Sequence, residues 1–181
     1  MKNECFLPPG EDASCPYFWP IGNRYIFLFF SHTTGSQYLL GDYNKEEHCF
    51  YPTFHGRFNF MSFLPGGVHA PSATSDGEGG VIVIHNMHTG KKSPGWRGIT
   101  TLPRKLTLDK CDTINIQPYG DYKSLRTHHQ HIDKTHLPAN KEIIIDNIQG
   151  NALEIKAEIN IKSSPMIEMN VLRSPDKEEF T

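Results

Sequence analysis

The sequence predicts an all-β fold, on three observations. Short runs of aromatic and β-branched residues recur about every ten residues, between turn signals, as far as Pro118. Nothing in that stretch carries the 3.6-residue apolar period of a helix. Beyond residue 140 apolar and polar residues alternate, as on a strand with one face exposed. The chain has 181 residues, 37% of them hydrophobic, which is enough for a core without help from metals or disulfides.

Residues 17–19 lead into a turn at Pro20-Ile21-Gly22-Asn23, and residues 24–31 form an aromatic, β-branched strand. A turn at Thr34-Gly35 precedes a second strand over 36–43, closing a hairpin. Residues 48–54 and 57–63 read as edge strands, before Pro65-Gly66-Gly67 breaks the chain. A short strand over 69–74 meets the polar turn Asp76-Gly77-Glu78-Gly79-Gly80. Residues 81–87 are continuously apolar, a pattern that predicts burial on both faces. After a polar loop over 88–95, strands are expected over 99–108 and 113–118. Residues 121–126 form the one expected helix, capped by Asp121. A His-, Lys- and Pro-rich connector spans 127–140, and alternating strands follow at 141–145, 153–161 and 166–172.

Composition excludes several classes. Lys and Arg total 18 against 20 acids, with no basic run beyond Lys91-Lys92, so no nucleic-acid footprint is expected. No apolar run approaches the roughly 20 residues of a membrane span, and no secretory signal is read at the amino terminus. Four cysteines, Cys5, Cys15, Cys49 and Cys111, form no CxxC pair, which favours free, partly buried thiols. His128, His129 and His131 lack carboxylates or cysteines at ligand spacing, so they read as connector and no metal or other cofactor is expected.

Several segments resemble glycoside hydrolase family 32, the invertase, levanase and inulinase family. Cys15-Pro16-Tyr17-Phe18-Trp19-Pro20-Ile21-Gly22-Asn23, with the aromatic strand ending at Ser31-His32, resembles the segment around the family's general acid. Gln37-Tyr38-Leu39-Leu40-Gly41-Asp42-Tyr43 is similar to the next strand of that blade. Gly95-Trp96-Arg97-Gly98, continuing to Leu102-Pro103-Arg104-Lys105-Leu106, resembles the family's Gly-Trp-x-Gly…Leu-Pro-Arg-x-Leu strand. Asn151-Ala152-Leu153-Glu154-Ile155 and Leu172-Arg173-Ser174-Pro175-Asp176 resemble strands of its second domain.

The resemblance implies the last blades of a five-bladed β-propeller over 1–118, a short helix and linker over 119–140, and the first strands of a β-sandwich over 141–181. It implies a glycosidase acting on β-fructosides such as sucrose or fructan. The family's nucleophile and transition-state segments do not occur here, so the chain is expected to be a C-terminal fragment, inactive alone. Oligomeric state and compartment are not legible.

Retaining glycosidases need two carboxyl groups about 5–5.5 Å apart, one serving as general acid and base. Where the family has Glu-Cys-Pro, this chain has Ser14-Cys15-Pro16. Glu11, in Glu11-Asp12-Ala13-Ser14-Cys15-Pro16, resembles a longer form of that motif and is the favoured acid; Glu4, in Glu4-Cys5, is the runner-up. Either could instead be a solvated loop acid. Asp12, His69, Asn86 and Trp96 are the expected substrate-binding residues. His69 and Asn86 stand where the family has aromatic residues, and either bind sugar hydroxyls or cap strand ends. Trp96 either stacks on a sugar or fills the gap between blade and linker. The rival readings are a non-catalytic carbohydrate-binding or scaffold descendant of the fold, and a self-contained all-β binding module.

Overall fold

The computed structural model describes residues 7, 9–58, 67–88, 95, 98–150, 152–161 and 163–171. The chain divides into two compact units, Met1–Tyr122 and Lys123–Thr181.

The described strands of the first unit all pair antiparallel. Its first sheet is an up-and-down meander of β1 (Ser14–Ile21), β2 (Arg24–Ser31), β3 (Gly35–Asn44) and β4 (Cys49–Arg57), in that spatial order. The second holds β5 (Gly67–Ser75), β6 (Val81–His88), β7 (Ile99–Thr100), β8 (Arg104–Leu108) and β9 (Ile114–Pro118). Its order is β5-β6-β8-β9, with β7 pairing on β6 as well.

Turn chemistry sets the registers. Gly22 is the first central residue of the β1–β2 turn, with φ of 57°, the positive value that suits a two-residue hairpin. Its N–H donates to the Gly79 carbonyl at 2.7 Å, tying that turn to the β5–β6 turn. There the Asp76 carboxylate accepts the N–H groups of Glu78 and Gly80 at 2.7 and 2.8 Å, while Lys105 of β8 pairs with its other oxygen at 2.7 Å. These donors hold the Asp76 carboxyl at about 2, the Lys105 ammonium being the largest cause.

Both sheets bury one face in a shared core. Ile21, Ile26, Leu28 and Leu40 of the first meet Val81, Val83 and Leu106 of the second, and all are essentially inaccessible. Tyr38 lies over Gly56, where any Cβ would fall 2.2 Å from its ring. At the rim, Arg24 pairs with Asp42 at 2.8 Å and with Asp112 of the β8–β9 turn, joining the two sheets electrostatically. The far face of the first sheet carries an aromatic stripe. Phe18 stacks on Tyr25 at 5.3 Å and meets Phe50 and Tyr43 edge-on at 5.1 and 5.4 Å.

The sequence expectations hold for β2 to the residue, and elsewhere the structure differs in instructive ways. The expected strand over 99–108 is split at 101–103, because Pro103 has no N–H for a ladder. Thr101 instead bonds His85 at both ends, its N–H donating to the His85 carbonyl at 2.8 Å and its hydroxyl oxygen accepting the His85 N–H at 3.0 Å. β6 is buried on one face by Val81, Val83 and His85, with Ile82 and Ile84 half-buried on the other. The 121–126 helix is a four-residue 3₁₀ turn, Tyr122–Leu125, too short to offset the cost of an α-helical nucleus. Cys15, Cys49 and Cys111 are free, as expected, but exposed rather than partly buried; Cys5 and residues 59–63 lie outside the described residues.

In the second unit the described residues form no strand. Leu153, Ile155, Ile159 and Ile161 keep their alternation but stay exposed, as do Ile144 and Met166. Alternation marks which face a strand would bury; a ladder also needs a partner strand, and among the described residues none is paired there. Arg126 holds Glu154 through two nitrogens, with Nε donating at 2.7 Å.

His85 is 1% exposed, and neither ring nitrogen has a hydrogen-bond partner among the described residues. Burial, aided by Arg104 and His69, pushes its pKa from 6.5 down to about 4. The unfolded chain therefore takes this proton near pH 6.5 while the folded chain refuses it until about pH 4. Stability should be level above that window and fall through it, by a share of order 3 kcal/mol. Melting scans of wild type and His85→Leu should diverge at neutral pH, the variant being the more stable, and the variant's profile should be flatter between pH 6.5 and 4. Parallel profiles would refute the buried neutral histidine.

Candidate functional site

The two sheets begin with the same backbone device. In β1 the β1–β2 register slips between Ser14 and Tyr17, and Cys15, just before Pro16, has φ of 51°. In β5 the β5–β6 register slips between His69 and Pro71, and Ala70, just before Pro71, has φ of 44°. A non-glycine residue with positive φ is strained, and bulges of this kind re-aim the preceding side chain at a strand's end. Ser14 and His69 are thus structural equivalents. Phe30 links them, since it is the register partner of Ser14 and its ring lies 5.6 Å from that of His69.

The residues before β1 are held against the end of β2. Asp12 Oδ1 accepts the His32 N–H at 2.9 Å; Oδ2 accepts from His32 Nδ1 at 2.7 Å and from the Ser14 hydroxyl at 2.5 Å. The Ser14 hydroxyl, followed by the His32 amide, holds the Asp12 carboxyl far below the usual carboxylate range. Asp12 therefore stays ionised, and its ionised oxygen requires the hydrogen of His32 to sit on Nδ1.

Glu11, half-buried beside it, accepts the Thr34 hydroxyl on Oε2 at 3.0 Å. The Ser31 hydroxyl oxygen accepts the N–H groups of Thr33 and Thr34 at 3.2 and 3.4 Å, shaping the loop that presents Thr34. Thr34 also accepts from Gln37 Nε2, and Gln37 Oε1 contacts His55 Nε2 at 2.6 Å. Gln37 is fully buried, and His55 titrates below its ordinary value because of burial, then Arg57, with Glu11 opposing.

Of the expected residues, Glu11 and Asp12 therefore sit together at the opening of β1. His69 is half-buried at the opening of β5, directly opposite exposed Asn86 of β6, and its ring lies 5.6 Å from that of Phe30, the register partner of Ser14. Asp12 has both Oδ2 sites engaged and spends itself holding the loop, whereas Glu11 keeps Oε1 without a hydrogen-bond partner among the described residues. Chemically the opening of β1 offers one carboxyl oxygen able to give or take a proton. Glu4 and Trp96 lie outside the described residues. Among the described residues no cluster of three or more metal-ligating side chains occurs. Sequence reasoning missed His32, Thr34, Gln37 and His55. A polar glutamine at a buried strand position was their one available signal.

No protein-family model and no curated protein matches this chain. A solved glycoside hydrolase family 32 structure from Bifidobacterium adolescentis aligns over 62% of this chain at 15% identity, with a TM-score of 0.49. The match covers 19% of that protein. A likeness this distant carries no argument about chemistry.

The bulges yield a direct test. Ala70→Gly should leave the melting free energy within about 1 kcal/mol, because glycine accepts positive φ while adding chain entropy to the unfolded state. Ala70→Val, β-branched at the same position, should cost about 2 kcal/mol. Equal effects in urea titrations would show that the bulge relaxes without cost.

Proposed function

We propose that this chain is carbohydrate-active, of the family 32 glycoside hydrolase type. The supporting observation is the repeated bulge before proline, which opens two consecutive antiparallel meanders. In this reading residues 1–118 are blades of a five-bladed β-propeller, 119–140 a linker and 141–181 strands of a β-sandwich, and the substrate is a β-fructoside such as sucrose or fructan. Glu11 is the general acid, protonating the leaving oxygen through Oε1 and later activating water. His69 and Asn86 bind sugar hydroxyls, and Trp96 stacks on the ring or fills the gap between blade and linker. Asp12 serves substrate binding indirectly, by fixing the loop through His32.

Asp12 is committed to Ser14 and His32, so it does not act as the nucleophile that a retaining mechanism requires beside the acid. The 181-residue chain should bind fructo-oligosaccharides weakly and not hydrolyse them. Serine in place of glutamate at Ser14-Cys15-Pro16 favours a second reading, a non-catalytic carbohydrate-binding descendant of the same fold.

Titration of the labelled chain with a fructo-oligosaccharide should shift amide signals around Glu11, His69 and Asn86, and His69→Ala or Asn86→Ala should weaken binding several-fold. A folded chain whose signals there do not move would defeat the proposal. Turnover by the purified chain would defeat the assignment of a single working carboxyl. In a hydrolytically active protein containing this chain, loss of turnover in Glu11→Gln, measured on sucrose, separates the catalytic from the binding reading.

A further inference from the structure

The three polar groups behind Glu11 leave little freedom in where their hydrogens go. Gln37 Nε2 can only donate, so the Thr34 hydroxyl oxygen accepts from it and Thr34 must direct its own hydrogen elsewhere, onto Glu11 Oε2. That orientation of Gln37 leaves its Oε1 facing His55, which must therefore carry a hydrogen on Nε2. The reverse arrangement is self-consistent too. His55 with hydrogen on Nδ1 would accept from a flipped Gln37 amide, and Thr34 would then donate to Gln37 and abandon Glu11. The choice between these two chains is made at the histidine ring.

We infer that Thr34, Gln37 and His55 form a one-way hydrogen-bond relay that positions Glu11, engaging Oε2 and leaving Oε1 as the oxygen that works. Gln37 is wholly buried and Phe29 lies over the His55 ring with centroids 6.3 Å apart, so the middle of the relay is shielded from water and its hydrogen bonds are correspondingly strong. Among the charged groups acting on the ring, Arg57, on its own strand, and Glu11 oppose one another. Asp12 and His32, beside Glu11, are paired to each other. Gln37 and His55 are positioning residues: they act on Glu11 through Thr34 and touch no substrate. A fixed donor at one carboxyl oxygen is the preorganisation that a general acid requires, because the proton's address is then set before the sugar arrives. That use rests on the glycosidase reading, but the relay itself does not.

The test is nitrogen NMR of the full chain labelled at histidine, with the Glu11 carboxyl carbon followed in parallel. At a pH where His55 is neutral, its Nε2 should appear as the protonated ring nitrogen and Nδ1 as the bare one. Thr34→Val should shift the Glu11 carboxyl signal and leave the tautomer unchanged, and Thr34→Ser should restore the wild-type position. Gln37→Glu should also shift the Glu11 signal, because a carboxylate at position 37 takes the Thr34 hydrogen for itself. A bare Nε2 in the wild type overturns the proposal. So does a Glu11 signal indifferent to Thr34→Val and Gln37→Glu in chains whose amide spectra remain folded. Neither outcome depends on sugar binding, so failure of the relay and failure of the glycosidase reading are separately visible.

Discussion

Two β-meanders burying one face each in a common core is the constraint on which the rest of the first unit depends. A lone four-stranded meander leaves one apolar face in water. Here Ile26, Leu28 and Leu40 are covered by Val81, Val83 and Leu106, each side removing the other's exposed area. The polar contacts follow from that packing. Gly22 reaches Gly79, and Arg24 reaches Asp112, only because the sheets lie face to face. Lys105 can neutralise Asp76 because β8 runs beside the β5–β6 hairpin.

The candidate site is a consequence of the same arrangement. Stacking the sheets brings together the openings of β1 and β5, and each carries a strained residue followed by proline. Strain stored twice in equivalent positions is hard to explain by packing alone, since an ordinary strand start would pair better. It makes sense if the bulges aim side chains. Asp12 then stabilises the corner, staying ionised under its hydroxyl and amide donors and keeping Glu11 beside Thr34. The aromatic stripe around Phe18 lies on the opposite face of the first sheet from the core, so it takes no part in joining the two sheets.

Much of this was legible in the sequence because turns and strand composition are local. β2 falls on 24–31 as expected since Gly22 supplies the turn and the aromatic run supplies the strand. The interruption at Pro103 was readable from proline's missing N–H, although the 99–108 apolar pattern runs across it. The segments beyond residue 140 show the opposite failure, where a clear alternation is not matched by any ladder among the described residues. Glu11, Asp12, His69 and Asn86 were singled out through motif resemblance. The Thr34–Gln37–His55 relay was not, because it arises from the register of β3 on β4 and from a loop turn, neither of which a motif encodes.

Native-state hydrogen exchange tests the shared core most directly. The amides of Leu28 in β2 and Val83 in β6 should open with the same free energy, since neither sheet keeps its apolar face covered without the other. Leu28→Ala should lower both by the same amount, about 3 kcal/mol. If Val83 keeps its wild-type protection while Leu28→Ala frees the first sheet, the two meanders fold independently. The corner built between them would then have no common support.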